Sequence, residues 1–568
     1  MMKFNEMKYE RCDMDAVRSQ LRELCEELKN AETFEQADAA FLKREEIMRH
    51  VATMRSLASV RNTIDTRDAF YDGEMDFWNA DGPKTAILQK EWMEALLTSL
   101  FRKEFAEKYG EVIFINAELQ KRSVGEAVVA DMQKESALVK KYQNLLARAQ
   151  VPFEGKTYTL SEMQSFMQDP DDVRREQAWI ASGQWYKDHQ KEMDEIYDEL
   201  VHLRDQMGKK LGWDSYVQLG YDRMGRNCYT REDIEVFRSA VQNYVVPAAE
   251  ALFKAQAERL GKEYPMSFAD NELEFRTGNC RPQGTPDDIV KAGGKFYDEL
   301  SEETSVFFRM MRENELMDLL SKEGKRQGGY CTNFPDYKVP FIFANFNGTQ
   351  HDVEVVTHEA GHAFASWTNR DRVPSSTMLP SLEGCECHSM SMEFFSEEWA
   401  EDFFGSQAQK YRYSHLAKAL KFIPYGTMVD HFQHEVYDHP EMTPAERHAV
   451  WKRLMGIYMP WQRLDGKIPF YSEGEHWQLK HHIYTRPFYY IDYCLAQTIS
   501  LEFWALIRKD RKQAWDKYMK YTRLGGSKVW TELLREAGLD SPFEENTLKE
   551  ICAQAAESLR TMEEENAF

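Results

Sequence analysis

The clearest ordering of apolar and polar positions falls between Asp352 and Pro374. Val353, Val356, Ala360, Ala363 and Phe364 mark one stripe of a helix there, Asp352 is a candidate N-cap, and no proline intervenes. The stretch from Pro380 predicts a second helix, helical in character to about Phe404. Between Lys338 and Asn347 the pattern differs: the segment is rich in Phe and Ile, follows Asp336 and Gly328-Gly329, and closes on Asn347-Gly348. That is the signature of a strand and turn in an otherwise helical chain. Elsewhere, Asp15 to Arg55 and Ile87 to Ala149 are dominated by Glu, Lys, Leu, Ala, Met and Arg, with Gly and Pro mostly at junctions. The expected class is all-α, mainly helical, with a small β element.

At 568 residues the chain is long enough for two or more domains, or for one large two-lobed helical body. Candidate boundaries are Asn79 to Lys84, Val151 to Gly155, and Thr277 to Pro286. Residues 1–200 are expected to form an N-terminal helical lobe, and residues 201–568 to carry the strand segment and the two patterned helices. The net charge of −23 leaves no basic stripe for a phosphate backbone, which argues against nucleic acid as a partner. The acidic run Glu563-Glu564-Glu565 reads as a solvated terminus. The first residues run straight into charged helix without the apolar core of a signal peptide or a bilayer span, so no membrane association is expected. Nine cysteines scattered from Cys12 to Cys552 do not form a disulfide framework, and a cytoplasmic setting is expected.

The candidate chemistry lies on the first patterned helix, in His358-Glu359-Ala360-Gly361-His362. Positions i and i+4 share one helix face, so both imidazoles can address one zinc ion, while Glu359, beside that face, is placed to reach a metal-bound water. A catalytic zinc needs a third protein ligand and an open position. Glu386 and Glu393, seven residues apart, share a face of the second helix; one could bind the metal while the other orients a histidine. Cys385, Cys387 and His388 are rivals, with Glu386 favoured because a thiolate would weaken the Lewis acidity that a hydrolase needs.

A second dense cluster is the run from His481-His482 through Tyr484, Arg486, Tyr489 and Tyr490 to Tyr493. Tyrosine hydroxyls donate hydrogen bonds without charge at neutral pH, so they can stabilise an oxyanion. The strand segment, for its part, could hold an extended peptide by main-chain hydrogen bonds that tolerate many side chains.

The block Gly328-Gly329-Tyr330-Cys331, the run Pro340 to Thr349, the His358-to-His362 core, Glu386 with Ser389 and Glu393, and the late His/Tyr segment resemble the oligoendopeptidase F branch of the thimet oligopeptidase family. The likeness is specific in the C-terminal half and rests on size and helical character in the N-terminal half. It implies one Zn2+ per chain held by His358, His362 and Glu386, with Glu359 as base and Glu393 behind the ligands. It also implies two lobes around a deep channel beside the β element, and hydrolysis of internal bonds in short unstructured peptides. In the family a histidine is followed nine and twelve residues later by tyrosines that bind the oxyanion; from His481 these are Tyr490 and Tyr493, with His482 able to take the histidine role if the spacing is relaxed by one. The family tyrosine five residues after that histidine is Arg486 here. Tyr330, Phe343, Ala344, Asn345, Tyr484 and Tyr489 are the candidate substrate contacts. Two other readings compete: a helical metallocarboxypeptidase with Arg486 clamping the terminal carboxylate, and a non-catalytic peptide-binding scaffold.

Overall fold

The computed structural model describes residues 2–326 and 328–566. Most of them are helical. Six long helices organise the site: α1 (Phe34–Ile64), α2 (Asp172–Lys210), α3 (His351–Thr368), α4 (Leu382–Phe395), α5 (Ala408–Asp438) and α6 (Tyr490–Leu524). A small hairpin pairs β1 (Val151–Phe153) with β2 (Lys156–Tyr158) through Glu154 and Gly155, both at positive φ. The second sheet has three strands, β3 (Met317–Leu320), β4 (Tyr330–Phe334) and β5 (Val339–Phe346), in the order β3-β5-β4. β5 runs parallel to β3 and antiparallel to β4. Its two paired edges and its burial on both faces explain why Val, Phe, Ile and Ala follow one another there without alternation.

One large apolar core runs from Phe4 to Leu559, and a smaller one gathers Leu24, Phe41, Trp92, Phe105 and Phe114. Residue 200 lies inside α2, where Ile196, Tyr197, Leu200 and Val201 are fully buried in the large core, so α2 carries the chain from one expected region into the other. Four residues on, the buried Arg204 guanidinium donates to Glu135 Oε1 at 2.7 Å, to the Tyr437 hydroxyl at 3.0 Å and to the Tyr484 carbonyl at 2.5 Å.

Two local expectations need correction. Asn79 to Lys84 is not a boundary but the middle of a helix, Ala69–Leu97; there the Asp81 carboxylate accepts from the Thr85 hydroxyl at 2.7 Å and pairs with Arg18, which offsets the weak helix propensity around it. Asp352 is not the N-cap of α3. It lies one residue inside and accepts from the backbone N–H of Asn347 (2.9 Å) and of Gly348 (2.8 Å), which fixes the turn from β5 into the helix. The helical character expected to about Phe404 is present, in three pieces: α4 to Phe395, a 3-10 turn at Ser396–Trp399 and a short helix at Ala400–Phe404.

Candidate active site

The site depends on how closely α3 and α4 approach, and Gly361 sets that distance. A Cβ at this position would meet Ser389 Cα at 2.8 Å and His388 O at 2.9 Å, both backbone atoms. With hydrogen there instead, α4 lies flush on α3 and presents Glu386 to the two histidines. The Nε2 atoms of His358 and His362 each lie 3.4 Å from the same oxygen, Glu386 Oε2. Two donors bound tetrahedrally at about 2.0–2.1 Å lie about 3.3–3.4 Å apart, so the spacing and the N, N, O donor set fit zinc. Among the described residues these three form the one His/Cys/Asp/Glu group with ligand atoms gathered this closely, within 4.8 Å of one another.

Hydrogen bonds hold two of the three donors. Glu386 Oε1 accepts from the Tyr489 hydroxyl at 2.9 Å and Oε2 from Ser389 Oγ at 3.1 Å. His358 Nδ1 donates to Glu393 Oε1 at 2.7 Å, which leaves Nε2 facing the other donors. Burial alone would raise the Glu386 carboxyl, but His362 and His358 hold it well below the ordinary value. Burial likewise disfavours the charged form of His358, and Glu386 and Glu393 outweigh it, raising that imidazole well above the usual range.

The rival ligands face elsewhere. The Cys385 thiol donates to Pro380 O at 3.5 Å, and Cys387 is fully buried with its thiol pushed up by burial. His388 is buried against Tyr521, its two ring nitrogens without partners, and burial lowers it to about 3.

Glu359 projects toward the sheet. A Cβ on Gly329 would lie 3.6 Å from Glu359 Oε1 and 3.4 Å from Phe343 O, so this glycine, at the entry to β4, leaves the space in front of the carboxylate clear. Four of the expected substrate contacts lie here, each engaged within the protein. Phe343 and Ala344 are fully buried on the central strand, so β5 has no free edge and the edges of the sheet are β3 and β4. Asn345 Nδ2 donates to the carbonyls of Arg326 and Gly328 at 2.8 Å each and so holds the glycine loop. Tyr330 stacks on Phe343 with ring centroids 4.9 Å apart and shares a 2.6 Å hydrogen bond with Thr63 of α1.

The aromatic segment divides in the same way. Tyr489 and Tyr493 pack ring to ring at 4.9 Å, and the negative charge of Glu386 adds to burial in raising both phenols. His482 joins them, 5.8 Å from the Tyr489 ring and 6.0 Å from the Tyr493 ring, with Nδ1 unpartnered. Burial, then His481, lowers His482 to about 2, and burial lowers the exposed-side His481 to about 4. The Tyr490 ring packs in the same cluster, 5.0 Å from His482 and 5.6 Å from Tyr493, and against Phe422 and Tyr425, but its hydroxyl accepts from Lys480 Nζ at 3.1 Å. Tyr484 is core, stacked on Tyr142 at 3.8 Å with its hydroxyl donating to Met193 O at 3.3 Å. Arg486 lies over the Tyr489 ring, its guanidinium carbon 4.7 Å from the centroid.

Two residues absent from the sequence reading stand behind Glu393. His415 Nε2 bonds Glu393 Oε2 at 2.9 Å and its Nδ1 bonds Glu397 Oε1 at 3.0 Å. The spacing of Glu393 and Glu397, one helical turn, was the available signal; nothing in the sequence placed His415, 22 residues from Glu393, between them.

Comparison with known proteins agrees along the whole chain. Residues 4–124 match the Peptidase M3 N-terminal domain and residues 295–552 match Peptidase family M3. An X-ray structure assigned as an oligoendopeptidase F is 42% identical, with 99% of each chain covered and a TM-score of 0.94. PZ peptidase A, solved with an inhibitor, is 41% identical over 98% of this chain and 99% of its own, also at a TM-score of 0.94. Oligopeptidase PepF of Bacillus subtilis is 22% identical over 94% of this chain and 82% of its own length.

Proposed function

The chain belongs to peptidase family M3, in its oligoendopeptidase F branch, and is a peptide-hydrolysing enzyme; from this we propose that it is a zinc-dependent endopeptidase acting on internal bonds of short unstructured peptides. The observation that carries the reading is the pair of imidazole nitrogens, each 3.4 Å from one Glu386 oxygen, with the Glu359 carboxylate one residue along the same helix. His358, His362 and Glu386 would hold the metal, which supplies Lewis acidity toward the scissile carbonyl and lowers the pKa of water. Glu359 takes the proton of the attacking water and returns it to the leaving amine. Tyr493 and His482, their rings 6.0 Å apart, would donate to the oxyanion, while Tyr489, engaged with Glu386, would orient that ligand.

An extended substrate would lie along Gly328-Gly329 and the edge of β4, bonded by its main chain, which gives broad side-chain tolerance. Residues 1–200 would form one wall of the substrate channel and residues 201–568 the other, excluding folded proteins. Among the described residues no helix is long and apolar enough to cross a membrane. All nine cysteines are free, which fits work in a reducing cytoplasm.

The test combines metal content with a digest of peptides carrying free or amidated C-termini. One zinc per chain, lost in Glu386→Gln and kept in Cys385→Ser and His388→Ala, with internal cleavage indifferent to amidation, is the expected result. Zinc lost with Cys385 or His388 instead would overturn the ligand set, and cleavage abolished by amidation would make the enzyme a carboxypeptidase.

A further inference from the structure

Behind the ligand face, four side chains form an unbroken line from the zinc-facing imidazole into the protein. His358 Nδ1 meets Glu393 Oε1 at 2.7 Å, Glu393 Oε2 meets His415 Nε2 at 2.9 Å, and His415 Nδ1 meets Glu397 Oε1 at 3.0 Å. The helices supply each member separately. Glu393 ends α4, Glu397 follows one turn later in the 3-10 segment, and His415 projects from the second turn of α5.

We propose that His415 is a positioning residue: clamped between Glu393 and Glu397, it holds the Glu393 carboxylate on His358 Nδ1 and thereby fixes the tautomer and ring orientation with which His358 meets the metal. The inference rests on the zinc reading of the site. A carboxylate that orients a ligand histidine must keep one oxygen aimed at the ring. Glu393 is largely buried, so an unpaired second oxygen would be costly and would favour rotation of the whole group off His358. His415 occupies that second oxygen and is itself fixed from three sides, by Glu397, by Tyr411 stacked at 5.4 Å and 9°, and by Phe394 at 4.6 Å. Burial works against a charge on His415, yet its two carboxylates raise it to about 10, so both ring nitrogens donate. The carboxylate Oε2 is thus held by a cation that cannot also compete for the proton on His358.

Zinc affinity, measured by competition with a chromogenic chelator, separates this role from simple packing. His415→Phe keeps a ring of similar volume and is expected to bind zinc about 10–100-fold more weakly, the range for loss of a partner behind a ligand. With zinc saturating, its kcat should fall while KM changes little. His415→Gln, whose amide can still donate to Glu393, should recover most of the affinity. Glu397→Ala, at a partly exposed position, should lose affinity in the same direction but less, and it keeps the test decisive if the Phe variant fails to fold. Unchanged zinc affinity in Glu397→Ala, or in a folded His415→Phe, would overturn the proposal whatever the melting temperatures show. A wild-type protein that takes up no stoichiometric zinc would overturn the metal reading and this one together; a zinc-loaded wild type with unshifted variants overturns this one alone.

Discussion

Gly361→Ala adds one methyl group where the structure has least room, and its effect can be worked from the contacts. The new carbon would stand 2.8 Å from Ser389 Cα, 2.9 Å from His388 O and 3.1 Å from Met392 Cβ. Carbon contacts settle at about 3.5–4.0 Å, so α4 must retreat from α3 by roughly 0.7 Å. The donor spacing spans the same pair of helices, and the 3.4 Å separations from Glu386 Oε2 to the two histidines would open to about 4 Å, beyond the roughly 3.3–3.4 Å that tetrahedral zinc asks for. Overpacking of this kind costs about 1–3 kcal/mol, partly offset by the roughly 1 kcal/mol that alanine gains over glycine in a helix. Gly456 supplies the control, since it lies in the helix Pro444–Tyr458 with nothing within 4 Å of its notional Cβ. Gly456→Ala should therefore raise the melting temperature and leave zinc untouched, whereas Gly361→Ala should lower both stability and zinc affinity. Thermal melting of metal-free and zinc-loaded protein, with chelator competition, measures both quantities. A Gly361→Ala protein that binds zinc like the wild type and melts no lower than the Gly456→Ala control would refute the claim that this contact sets the ligand geometry.

Glu359→Gln should retain full zinc content and melting temperature yet lose nearly all turnover in a fluorogenic peptide assay; an active, zinc-loaded variant would reject the base. Tyr493→Phe should lower kcat by roughly a hundredfold with KM nearly unchanged, as for loss of one oxyanion donor, while Tyr490→Phe, whose hydroxyl is engaged by Lys480, should stay near wild type. The reverse ranking in steady-state kinetics would exchange their roles. Glu502 is raised to about 8 by burial and then by Asp540, against an ordinary value of 4.5. A folded-state value above the unfolded one means that ionisation penalises the fold, so stability is lost as pH rises between those two values. Glu502→Gln should then melt higher than wild type at pH 8.5 and equally at pH 4.5; a gain that does not shrink toward low pH would contradict this.

The sequence made local periodicity visible and left packing direction open. His358, Glu359 and His362 could be placed because one helix turn fixes their relation, and no distant contact is needed. Glu386 could be favoured over Cys385, Cys387 and His388 only on chemical grounds; what separates them in the fold is which face of α4 lies against Gly361. A β element was legible from its Phe and Ile content and flanking glycines. Its exposed edge was not, because that depends on β3, a four-residue strand whose pairing places β5 in the centre. Tyr489 and Tyr490 show the same limit at smaller scale: neighbours at the start of α6, they leave the backbone in different directions, and only the helix start decides which one meets Glu386. Proline and glycine near residue 80 suggested a junction, but the Arg18–Asp81 contact carries the helix through it.

Arg204 gives the fold a different kind of constraint. One guanidinium joins Glu135 from the first part of the chain, Tyr437 near the end of α5, and the backbone of Tyr484 at the head of the aromatic run. Lysine, a single point charge on a flexible stem, could not span three acceptors in fixed directions. The stretches before and after residue 200 are therefore poor candidates for exchange between relatives, even though two separate family matches, residues 4–124 and 295–552, fall on either side of it. In a chimera, the carboxylate, the phenol and the carbonyl would have to arrive with their arginine as one inherited set, or the segment that leads into α6, with Tyr489 and Tyr493 at its start, would lose its mooring.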